Sequence, residues 1–139
     1  MHWPLRKYGA VICVFACSVL AGCQQKLSPE FKVPAEDSAR KNPLELTPAT
    51  IAEGQKLYAT ESDCAICHGK EGNGRGVLAK DVKMNVRDWH NAHLLSTFTD
   101  GDLFYILAKG KGRMPGYEKR VTAEQMWKMI DYVRSLGEK

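Results

Sequence analysis

Residues 64–68 read CAICH. Two cysteines three apart, with a histidine directly behind the second, admit three kinds of chemistry. Thiolates and imidazole can hold a zinc ion, and a C-x-x-C pair can cycle between dithiol and disulfide. C-x-x-C-H can also bond a haem through two thioethers, with the histidine placed beneath the iron. The compartment and the remaining candidate ligands decide among them.

The amino terminus bears on the compartment. Arg6 and Lys7 precede an apolar run from Gly9 to Gly22. The run is about the length of a signal-peptide core and shorter than the ~20 residues of a membrane-spanning helix. It ends in LAGC, residues 20–23, which resembles the bacterial lipobox, whose cysteine is lipidated and becomes the first mature residue. The expectation is a lipoprotein signal peptide over 1–22 and acyl chains on Cys23, each buried methylene adding ~0.8 kcal/mol of membrane affinity. An uncleaved anchor helix is the alternative. On either reading the chain is membrane-bound in the bacterial cell envelope and faces the periplasm or cell exterior. Gln24 stands where an aspartate would favour the inner membrane, which leaves the outer membrane open.

Of the five cysteines, Cys13 and Cys17 fall in the signal core and Cys23 is the lipid site, so Cys64 and Cys67 are left to the mature domain. An oxidising exterior drives such a pair toward a disulfide unless other chemistry claims it. A thioredoxin-like pair needs a strand before it and a parallel sheet around it, and neither is visible. A zinc site would recruit His90 and His93. Twenty-two residues separate Cys67 from His90, against about twelve in a zinc finger, and His68 would stand idle. Haem uses all three motif residues, with Cys64 and Cys67 on the vinyl groups and His68 as proximal ligand.

A second ligand is offered by GKGRMPGYE, where Met114 lies in a glycine-rich loop before the last helix. A thioether there is a soft ligand that favours ferrous iron and raises the potential relative to two histidines. Met84 is the rival, whereas Met126 and Met129 sit at helical core spacing. His90 and His93 read as solvent-facing loop residues, with a bis-histidine iron as the alternative. Trp89, Arg87 and Arg75 are candidates for hydrogen bonds to a haem propionate.

The elements that must position these residues are helical. QQKLSPEFKVPAEDSARKNPLEL, with Pro29, Pro34 and Pro43, has alternating charges and no period. It reads as a flexible tether completing a segment 23–46, with docking of Phe31 and Val33 on a partner subunit as the alternative. The domain, 47–139, opens at Thr47-Pro48, where Thr50 and Glu53 form a capping-box pattern. Ile51, Gly54 and Tyr58 share one face of the helix that follows. The four glycines from Gly69 to Gly76 mark a loop. A short helix capped by Thr99 or Asp100 ends at Gly110, and Thr122 and Gln125 cap a final helix with a stripe of Met126, Met129, Ile130 and Val133. No alternating strand is visible.

The order of these features resembles monohaem cytochrome c, above all the small domains of bacterial oxidase-type cytochromes c. The likeness runs over roughly 48–136: a helix with Gly54 and Tyr58, CAICHG, a glycine loop, DLFYILAKGKGRMPGY and an aromatic-bearing last helix. It implies an all-α small cytochrome c fold, three to four helices and long loops wrapped around one covalent haem c. It also implies thioethers at Cys64 and Cys67, iron ligation by His68 and Met114, and helices crossing near Gly54 with Tyr58, Met129 and Tyr132 at the contact. One departure stands out. Many members place a proline after the motif to accept a hydrogen bond from the proximal histidine, and GRGVLAKDV has none.

The formal net charge is +4 and its basic residues are dispersed, which argues against a nucleic-acid binder. From Lys70 to Arg120 ten Lys or Arg stand against six acids, whereas Gln24 to His68 has five against seven. The loops around the motif are thus mildly basic and suited to acidic redox partners or integral membrane respiratory subunits. The expected function is single-electron transfer without substrate turnover. A fixed haem subunit of a respiratory complex is the main alternative. A gas sensor or peroxidase-like haem protein is a further one, and no acid–base pair beside Met114 favours it.

Overall fold

The computed structural model of the protein describes residues 31–81 and 85–138. The expected signal peptide, Cys23, the first part of the tether and Met84 lie outside the described residues.

Three helices of nine or more residues make the frame: α2 (Pro48–Lys56), α6 (Asp100–Lys109) and α7 (Ala123–Leu136). Four short ones, α1 (Ala35–Ser38), α3 (Cys64–His68), α4 (Val77–Asp81) and α5 (Ala92–Ser96), sit between them. Among the described residues the architecture is the expected all-α one, with a single two-residue antiparallel ladder that the sequence did not signal: β1 (Gly110–Lys111) and β2 (Met114–Pro115). Two residues are too few to show alternation.

The start of α2 differs from expectation. Thr47, not Thr50, is the cap: its side chain accepts from the Thr50 N–H, and the Thr50 hydroxyl accepts from the Thr47 N–H. Proline fixes the first helical position directly behind an extended residue, which moves the boundary three residues toward the amino terminus. The caps of α6 at Thr99 and of α7 at Thr122 with Gln125 are as expected.

Helices α2 and α7 cross at Gly54. A methyl group there would overlap the Lys128 carbonyl, so only glycine permits the approach. Tyr58 and Tyr132 meet edge-on at 5.2 Å beside the crossing, and Lys128 bridges Glu53 and Glu124 at its rim. Helix α6 lies on α7 through Phe104 and Trp127, whose rings are 4.2 Å apart. Arg134 of α7 binds the Asp100 carboxylate and donates to the Leu95 and Phe98 carbonyls, which fastens α5 and the start of α6. Met126, Met129 and Ile130 of the predicted stripe are buried and Val133 is half-buried.

Residues 31–46, the part of the expected tether that lies within the described residues, run as a strap over the frame. Phe31 meets Tyr105 and Lys111, and Arg40 lies 4.1 Å over the Phe104 ring. Asn42 donates to the Asp131 carboxylate at 2.6 Å, and Leu44 joins the core. At Gly101 a side chain would overlap the Asp37 carbonyl. These are isolated anchors without a repeat, so no periodicity announces them.

Candidate functional site

The CAICH helix is set by turns at both ends. Before it, a π-turn over Leu57–Glu61 leads into Ser62 and then Asp63, whose φ of 54° is left-handed. Ser62 is fully buried. Its hydroxyl donates to the Leu57 carbonyl and lies 3.2 Å from Cys64 Sγ and 3.1 Å from Met129 Sδ. After it, Gly69 turns the chain at φ 80°, and its carbonyl accepts from the Tyr58 hydroxyl. The glycine loop then folds back on the motif: the Gly74 N–H donates to the His68 carbonyl at 2.7 Å and the Gly76 N–H to that of Cys67 at 3.1 Å. Four positive-φ or contact-limited glycines in eight residues make this reversal possible.

Met114 arrives from another element. Gly110 ends α6 at φ 82°, the β1–β2 turn reverses the chain, and the Tyr117 N–H returns to the Leu107 carbonyl at 2.9 Å. Cys64, Cys67, His68 and Met114 all line one cavity of about 360 Å³, walled by apolar side chains such as Leu103, Ile106, Ile130 and Val133. Arg87 and Trp89 line it as well. Arg75 is exposed and does not. His90 is exposed with Nδ1 2.9 Å from Asp88, His93 is exposed on α5, and neither reaches the cavity.

Both motif cysteines are free, and among the described residues no cluster of three or more His, Cys, Asp or Glu forms a metal site. Burial pushes the Cys64 thiol up and the Tyr58 hydroxyl well up. Burial also takes the His68 imidazole down to about 4, with the Arg87 backbone working against this and the Arg87 charge adding to it. His68 is therefore neutral near pH 7, the form that can bind a metal. Its Nδ1 is buried and makes no hydrogen bond of good geometry among the described residues.

Residues 49–133 match the family model described as cytochrome c oxidase, cbb3-type, subunit III. The chain belongs to this cytochrome c family. No curated protein matches it. Among solved structures, a chain of the Kuenenia stuttgartiensis reducing HAO-like protein complex is 28% identical with a TM-score of 0.57. That match covers 68% of this chain and 46% of the other, so this cytochrome spans under half the length of that relative.

A monohaem c-type cytochrome is thus the class, and covalent haem c the cofactor that its family implies. The residues fit that group. Two unpaired thiols stand at thioether spacing, a neutral imidazole is next to them, a thioether enters from elsewhere, and the space between is apolar. Ser62 contributes without carrying a signal in the sequence. Trp89, expected as a propionate candidate, lies stacked on His68 at a centroid distance of 5.5 Å, a contact that the sequence does not signal.

Proposed function

We propose that this cytochrome is a membrane-tethered monohaem electron carrier that passes single electrons between redox partners in the bacterial envelope. The observation that carries the reading is the convergence of Cys64, Cys67, His68 and Met114 on one apolar cavity. Haem c supplies a one-electron couple when bound. Cys64 and Cys67 would hold it through thioethers, and His68 and Met114, from two separate elements, would ligate its iron. Ser62 and Tyr58 fix the turns that carry the motif, and much of the wall is apolar, so little would rearrange when the charge changes. Arg87 and Trp89 at the cavity wall are placed to meet a propionate. Lys111 and Arg113, which also line the cavity, favour an acidic partner surface. Cys23 carries the lipid, and the linker between it and the docked strap is residues 24–30.

The likeness to a chain of a multi-protein complex supports a second reading, a fixed haem subunit. Purification in mild detergent separates the two: a carrier elutes alone, a subunit with integral membrane proteins. Intact-mass measurement of the native lipoprotein tests the covalent assignments. It should show a chain beginning at acylated Cys23 and bearing one haem, and the haem mass should vanish when Cys64 and Cys67 are both replaced by alanine. A mature chain that keeps residues 1–22, or carries no haem, contradicts the proposal.

A further inference from the structure

A histidine that ligates a metal is ordinarily oriented by the hydrogen bond its other ring nitrogen makes. In this chain that nitrogen, His68 Nδ1, is buried and makes no hydrogen bond of good geometry among the described residues, although the Arg87 backbone is close enough to act on the ring. One face of the ring is covered by Trp89. The two planes are 19° from parallel and their centroids 5.5 Å apart, within the range of offset aromatic stacking. Rotation of the imidazole about its Cβ–Cγ bond would drive its edge into the indole.

Trp89 is itself held. Its backbone N–H donates to the Gly72 carbonyl at 2.8 Å, and its side chain packs against the core. Gly72 has a left-handed φ of 74°, and a methyl group there would come within 3.3 Å of the indole and 2.5 Å of Leu136. A glycine at this place in the loop thus leaves the slot the indole occupies, between the motif loop and the end of α7.

We propose that Trp89 is a positioning residue that fixes the plane of the His68 imidazole by stacking. This rests on His68 being an axial ligand of the haem iron. The orientation of an axial imidazole sets the in-plane asymmetry of ferric iron, so it is read by the spread of the ferric g values. The test uses the intact haem-loaded protein. In the diamagnetic reduced state, nuclear Overhauser cross-peaks should connect the Trp89 indole protons to the His68 ring protons. In the oxidised state W89F, which keeps an aromatic face, should retain the wild-type g values, whereas W89L should change their spread. Missing cross-peaks, W89L values that superimpose on wild type, or W89F and W89L changed alike would each overturn the proposal. Should W89L fail to mature with haem, the cross-peaks and W89F decide it. A high-spin wild-type spectrum is a different failure, since it removes the ligand assignment itself.

Discussion

Replacing Gly101 by alanine separates a docked strap from a free tether, because the two predict opposite signs. Gly101 is in the first turn of α6 with ordinary helical backbone, so alanine is conformationally acceptable there. If residues 31–46 were a free coil, G101A would stabilise the domain by ~0.4–1 kcal/mol through the unfolded chain. In the docked arrangement the new methyl overlaps the Asp37 carbonyl and sits 2.7 Å from that of Ser38. Backbone cannot yield there, so α1 lifts away. The Thr99 hydroxyl then loses the Ser38 carbonyl at 2.7 Å, a bond contributing about 1 kcal/mol. Arg40 over Phe104 contributes about 0.5–1 kcal/mol more where the strap peels further. Allowing for the entropy the freed residues regain, G101A should lower stability by about 1–2 kcal/mol. Guanidinium unfolding of the haem-loaded protein measures this, and hydrogen exchange at the Ser38 and Ala39 amides, which bond to Pro34 and Ala35, should quicken. A G101A protein as stable as wild type, or more so, would refute the docked strap.

Gly54→Ala strikes the α2–α7 crossing and should cost about 3 kcal/mol in the same unfolding assay. Asp131 is 4% exposed, and its Oδ2 has no partner. Burial raises its carboxyl, Thr50 and Asn42 work against this, and the Asp100 charge adds to it. The folded state therefore holds the Asp131 proton more tightly than the unfolded chain, so the ionised group lowers stability above its folded pKa. Relative to wild type, D131N should be more stable near neutral pH than at low pH, the difference shrinking as pH falls toward the unfolded carboxylate value, as unfolding at a series of pH values measures. Met114→His should keep the iron six-coordinate and lower the midpoint potential in a redox titration, because the soft thioether favouring ferrous iron is lost.

The parts of the fold that carry a local pattern are legible in the sequence. CAICH, the glycine loop, the α7 stripe and Met114 beside Pro115 all carry a spacing or a neighbour that restricts what they can do. The strap carries neither. Phe31, Arg40, Asn42 and Leu44 each touch a different part of the frame, and two prolines among alternating charges look the same whether docked or free. Trp89 is twenty-one residues from His68, and its contact depends on how the glycine loop folds back, which local pattern does not report. The proline expected to offer an acceptor to His68 is absent from the sequence, and the backbone that acts on the ring is that of Arg87, nineteen residues on and brought there by the loop.

The central claim is that His68 and Met114 together hold the iron. The near-infrared absorption of the oxidised wild-type protein tests it most directly. Methionine ligation predicts a sulfur-to-iron charge-transfer band, with the reduced protein slow to bind carbon monoxide. No such band, together with rapid carbon monoxide binding, would contradict it.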